Sequence, residues 1–89
     1  MIRKLSARHQ EIIRLVASGY ANKDIAQHLG IAESTVKNHI TRILSDTGAQ
    51  DRMQLAVWAF RNEIISVDEA YATMVASFDL EQKAAEWEY

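Results

Sequence analysis

The chain has 89 residues, 48% hydrophobic and 25% charged, with a formal net charge of −2 and neither cysteine nor proline. That length supports one small core and excludes two, and the composition is that of a folded domain rather than a disordered chain. Without cysteine there are no disulfides, thiolate metal sites or cysteine nucleophiles, and no apolar run nears the ~20 residues of a membrane span, so a cytoplasmic protein is expected.

Apolar residues recur three and four apart with no strand-like alternation, which predicts an all-α fold punctuated by three glycines. Ser6 is the expected N-cap of a first helix burying Ile12, Ile13, Val16 and Ala17, closed by Gly19. His9 stands three residues after that cap, so no reciprocal carboxylate is available there. Asn22 is the expected cap of a short second helix that buries Ile25, Ala26 and Leu29 and stops at Gly30.

Gly30, Ile31 and Ala32 then turn the chain into a third helix, from about Glu33 to Asp46, with Val36, Ile40, Ile43 and Leu44 inward and Gly48 at its end. Asp51 caps a fourth helix reaching about Glu63. Ser66-Val67-Asp68-Glu69 fits a capping box opening a fifth, with Val67, Ala70, Tyr71, Met74 and Phe78 as its stripe. Leu80, Ala84 and Trp87 continue the helical period, and a bend at Asp79 stays open.

Charge is divided along the chain. Residues 1–42 hold seven Lys or Arg against three Asp or Glu, and residues 43–89 hold three against nine. A local basic face matters more to a polyanion than the acidic sum.

A short helix, a glycine-bearing turn and a second helix with a polar outer face form a helix-turn-helix pattern. The residues themselves, "LSARHQEIIRLVASGYANKDIAQHLGIAESTVKNHITRIL" followed by "GAQDRMQLAVWA", resemble the LuxR/NarL-type DNA-binding domain of bacterial transcription regulators. "NKDIA", "STVKNHI" and "DRMQLAV", in that order, carry the resemblance, which spans about Leu5 to Ile65. It implies a four-helix domain whose third helix reads DNA and whose fourth pairs two subunits. Three departures stand out: Ala32 where a Ser or Thr cap is usual, His9 where a glutamate is usual, and Asp46-Thr47 in place of Lys-Leu.

The residue pattern agrees with that implication. Steps of four, three and four residues from Ser34 through Asn38 and Thr41 to Ser45 define one helix face opposite Val36, Ile40 and Ile43, with Lys37 at its flank. Lys37, Asn38 and Thr41 are the expected base-reading residues, since Lys donates to guanine and Asn pairs with adenine. Asn22, Lys23, Ser34, Thr35 and Arg42 are expected at phosphates, and Arg52 is expected to reach a phosphate or to brace the preceding loop. Leu55 and Trp58, joined by Tyr71, Met74 and Phe78, are the expected dimer contacts.

The expected organisation is a DNA-binding domain over residues 1–65 and an acidic helical extension, of one or two helices, over 66–89. The extension carries six acidic groups and one lysine and is read as serving dimerisation, self-packing or a partner. The function expected is that of a bacterial or phage regulator binding operator DNA as a homodimer, standing without the sensor domain that usually precedes this module. The rival is an antagonist that pairs with another regulator of this type or with RNA polymerase. No cofactor is expected. The three histidines have no ligand spacing, and no nucleophile elbow or phosphate loop supports an enzyme.

Overall fold

The structure is a computed structural model that describes residues 5–82, with side chains through residue 76. Five helices follow one another: α1 (Ala7–Ala17), α2 (Asn22–Leu29), α3 (Glu33–Thr47), α4 (Arg52–Arg61) and α5 (Val67–Gln82). No strand occurs among the described residues.

Local chemistry sets most of these limits. The Ser6 hydroxyl accepts from the His9 N–H at 3.1 Å and starts α1. At its other end the Gly19 and Tyr20 N–H groups return to the carbonyls of Val16 and Leu15, both at 3.0 Å, a Schellman closure. Asp51 starts α4 by accepting from the Gln54 N–H at 2.8 Å, and Ser66 starts α5 by accepting from the Glu69 N–H at 3.0 Å.

Three expectations at helix ends are corrected. The cap of α2 is Ala21, not Asn22, and Asn22 is the first helical residue. Alanine has no acceptor, so the helix start is helped only by the Asp24 carboxylate, which accepts from the Ala21 N–H at 3.4 Å. Glu69 does not complete a capping box, because its carboxylate pairs with Arg14 Nε at 3.6 Å. Finally, α4 ends at Arg61, and the chain leaves through Asn62, which donates to the Trp58 carbonyl, and Glu63, which holds a left-handed φ of 58°.

The core is assembled from the inward faces of all five helices. Ile12 and Ile13 of α1, Ile25 of α2, Val36 and Ile43 of α3 and Leu55 of α4 are fully buried. Helix α1 lies at the centre, packed most extensively on α4 and also on α3. Ile65 and Ala70 join the same core, so the first turn of α5 packs onto the four preceding helices. Beyond that turn α5 runs as helix through Asp79 to Gln82.

Among the described residues nothing covers the expected stripe on α5: Ala70 is buried, while Val67 is 67%, Tyr71 64% and Met74 44% exposed. The Phe78 side chain, and Ala84 and Trp87, lie outside the described residues, as does the Leu80 side chain.

Candidate nucleic-acid interface

Helices α2 and α3 meet through Gly30, Ile31 and Ala32. Gly30 adopts φ 70°, ψ 35°, a left-handed conformation that a Cβ disfavours by roughly 1 kcal/mol or more. The Ile31 N–H then donates to the Ala26 carbonyl at 3.0 Å, and its side chain packs against the core. This fixes the angle at which α3 leaves.

The amphipathic character of α3 now places its outer groups. With Val36, Ile40 and Ile43 buried, the residues Ser34, Lys37, Asn38, Thr41, Arg42 and Ser45 are all exposed. Lys37 and Asn38 sit side by side with unoccupied polar ends. The Thr41 hydroxyl donates to the Lys37 carbonyl at 3.0 Å, which leaves its oxygen as an acceptor and its methyl as an apolar contact. Arg42 is loosely paired with Asp46 at 3.9 Å and stays 73% exposed, a surface pair of little strength.

Thr35 is half-buried at the start of α3, and Glu33 is the acidic residue of that first turn. No side chain accepts from the N–H groups there, because the cap is Ala32. Thr47 serves the other end. Its hydroxyl donates to the Ile43 carbonyl at 2.9 Å and accepts from the Ala49 N–H at 3.3 Å, so a polar residue fills a half-buried site without an unmet group.

Around α3, Lys23 is exposed and Asn22 half-buried at the start of α2. Arg52 reaches back from α4, and its Nη1 donates to Asn22 Oδ1 at 2.8 Å while Nη2 donates to the Tyr20 carbonyl at 2.6 Å. Neither bond goes to the loop before α4: the guanidinium instead ties α4 to the connection between α1 and α2. Burial lowers its pKa from the usual guanidinium range, yet a guanidinium stays charged throughout the physiological range.

Histidine 39 lies at the border between the two faces of α3 and meets His9 of α1 edge to face, with ring centres 5.2 Å apart. His9 is half-buried there. Its pKa is lowered from 6.5 by burial first, then by His39 and Arg42, against a raising influence of Asp46. His28 is exposed and lies against Tyr20 at 5.9 Å. Among the described residues no three His, Asp or Glu side chains gather in a metal-binding arrangement, and no helix is long and apolar enough to cross a membrane.

The expected dimer contacts divide. Leu55 is fully buried in the protein's own core and offers nothing to a partner, and Trp58 packs partly against that core. Tyr71 and Met74 are exposed. Met53 and Val57, which were not among the expected contacts, are 75% and 59% exposed on α4. Their four-residue spacing, set off from Leu55 and Ala59, was the available signal.

The comparisons with known proteins follow this geometry. The family described as "Bacterial regulatory proteins, luxR family" matches residues 3–59. The chain is 48% identical over 58 residues to the uncharacterized transcriptional regulatory protein YxjL of Bacillus subtilis, covering 65% of this chain and 27% of that one. It is 47% identical over 62 residues to the transcriptional regulatory protein LiaR of Bacillus subtilis, covering 70% and 29%. To the response regulator protein VraR of Staphylococcus aureus it is 43% identical over 61 residues, covering 68% and 29%. The matched region is therefore less than a third of each relative. No solved structure matches the chain significantly. With the helix-turn-helix, its glycine turn and the exposed polar side of α3 all falling inside the matched span, the chain belongs to the luxR family of bacterial regulatory proteins.

Proposed function

We propose that this domain regulates transcription by binding operator DNA sequence-specifically as a homodimer, with α3 in the major groove. The observation that carries the reading is the exposed row Ser34, Lys37, Asn38, Thr41 and Ser45, held outward by the burial of Val36, Ile40 and Ile43. Lys37 and Asn38 read bases, Lys donating to guanine O6 or N7 and Asn bonding adenine N6 and N7. Thr41 accepts from a base amino group. Ser34, Thr35, Lys23, Asn22 and Arg42 hold phosphates and so set the register of the helix. The chemistry is recognition alone, in the cytoplasm, with no cofactor.

Two copies place two recognition helices one turn of duplex apart, ~34 Å, on a palindromic site. Met53 and Val57 on α4, with Trp58, Tyr71 and Met74, supply the apolar surface for pairing. Residues 1–65 form the reading unit and 66–89 its acidic extension.

Selection of bound sequences from random duplex DNA at physiological salt tests the reading. A palindromic consensus is the expected result, and no enrichment would overturn it. The exposed apolar groups of α5 favour one rival, an antagonist that pairs with another regulator of this type. Under that rival, replacing Lys37 and Asn38 by alanine leaves regulation intact.

A further inference from the structure

Asn22 and Arg52 are separated by 30 positions in sequence, yet they share a hydrogen bond of 2.8 Å. A guanidinium has donors only, so the amide atom of Asn22 that faces it is the oxygen. This settles the orientation of an otherwise ambiguous side chain. The amide nitrogen, Nδ2, lies on the other branch of the same planar group, and Arg52 cannot accept from it. No described group accepts from it, and no polar side-chain atom is both buried and unpartnered, so Nδ2 is open to solvent.

The place where Nδ2 opens is the first turn of α2. The earliest bond within that turn is Ile25 N–H to the Ala21 carbonyl at 2.9 Å, so the N–H groups of residues 22–24 precede the helical ladder. Lys23 is exposed beside them, and Asp24, turned back onto the Ala21 N–H, is the opposing charge. Arg52 itself is half-buried, with both terminal nitrogens donating inward, the second to the Tyr20 carbonyl.

Resting on the DNA-binding reading above, we propose that Arg52 is a positioning residue: it fixes the Asn22 amide so that Nδ2 donates to a backbone phosphate, and makes no phosphate contact of its own. The cation is part of the scaffold, and the neutral amide is the contact. This separates Arg52 from Lys23 and Arg42, whose charges face solvent.

The salt dependence of binding tells the two roles apart. A cation that neutralises a phosphate releases counterions and steepens the plot of log affinity against log salt by about 0.9 per contact, whereas a neutral donor does not. The probe is a duplex of about 30 base pairs, three helical turns, carrying the site from the selection above. Arg52→Gln and Asn22→Ala are each expected to weaken binding roughly fivefold to a hundredfold, the worth of one hydrogen bond in each of two subunits, with the slope unchanged. The double variant is expected to bind no more weakly than either single one, because the same contact is lost in all three.

A slope shallower by about 1.8 in Arg52→Gln, about 0.9 for each of the two subunits, overturns the proposal, as do additive losses or unchanged affinity. Circular dichroism checks the fold of each variant. If Arg52→Gln does not fold, Asn22→Asp decides: it keeps the acceptor for Arg52 and the thermal midpoint but removes the donor, and undiminished binding by it overturns the proposal. Failure of the unaltered protein to bind any duplex overturns the DNA-binding reading itself, whereas these other outcomes overturn only the role of Arg52.

Discussion

The imidazole of His9 meets that of His39 edge to face at 5.2 Å and 73°, joining the first turn of α1 to the middle of the candidate reading helix. A proton on His9 is opposed there by burial, by His39 and Arg42 on α3, and by the positive end of the α1 dipole, with Asp46 the one favourable group. The His9 pKa in the fold is therefore below the 6.5 of the unfolded chain. The folded state takes up fewer protons, so this contribution to stability is full above pH 6.5 and falls as pH drops through 6.5 towards the lowered pKa. The urea midpoint is expected to be lower at about pH 5.5 than at about pH 7.5, and His9→Gln to shrink that difference. An undiminished difference in the variant would assign the pH dependence to other groups.

Lys37→Ala is expected to cost about 1 to 3 kcal/mol on the selected site and to relax preference at one base pair. Arg42→Ala is expected to weaken all sequences alike and to reduce the salt slope by about 2, one contact in each subunit. Titrations on the selected and a scrambled duplex, at several salt concentrations, distinguish the two patterns. Equal behaviour of both variants would remove the division between base and phosphate contacts.

On α4, neighbouring positions have opposite surroundings, and the substitutions should diverge. Leu55→Ala opens a cavity in the core and is expected to cost about 2 to 5 kcal/mol of folding stability. Val57→Glu places a charge on an exposed position and is expected to leave the thermal midpoint nearly unchanged while producing monomers in sedimentation. A dimer that survives Val57→Glu, and also Met53→Glu, would place the pairing surface elsewhere.

The first turn of α3 lacks a side-chain acceptor, so Ala32→Ser should stabilise the free protein. The expected gain is about 1 kcal/mol, or about 4–8 °C in thermal midpoint for a domain of this size. Calorimetry checks it. No gain would mean that the serine does not reach the N–H groups of Ser34 or Thr35.

Much of this arrangement was legible because it rests on short-range chemistry. Ser6, Asp51 and Ser66 accept from N–H groups three residues ahead, and Gly30 and Gly48 take left-handed conformations where helices stop. The exposed polar face of α3 follows from spacing alone. What sequence could not show was decided across the fold. Asn22 is a good capping residue locally, but its oxygen is engaged by an arginine 30 positions away. Glu69 is drawn from its capping role to Arg14, and His9 from solvent to His39. The end of α4 was overrun because Glu63, rather than a glycine, takes the left-handed turn. The stripe on α5 is periodic whether or not anything covers it.

The helix starts are not provided for equally. Side-chain oxygens of Ser6, Asp51 and Ser66 hold the openings of α1, α4 and α5, whereas α2 and α3 both open on alanine. The two segments proposed to meet the duplex are thus those whose leading amide protons no side chain caps. In deuterated water their exchange should be among the fastest within the helices, and a bound phosphate chain should slow it there first, so that the nucleic acid finishes ordering what the polypeptide leaves open.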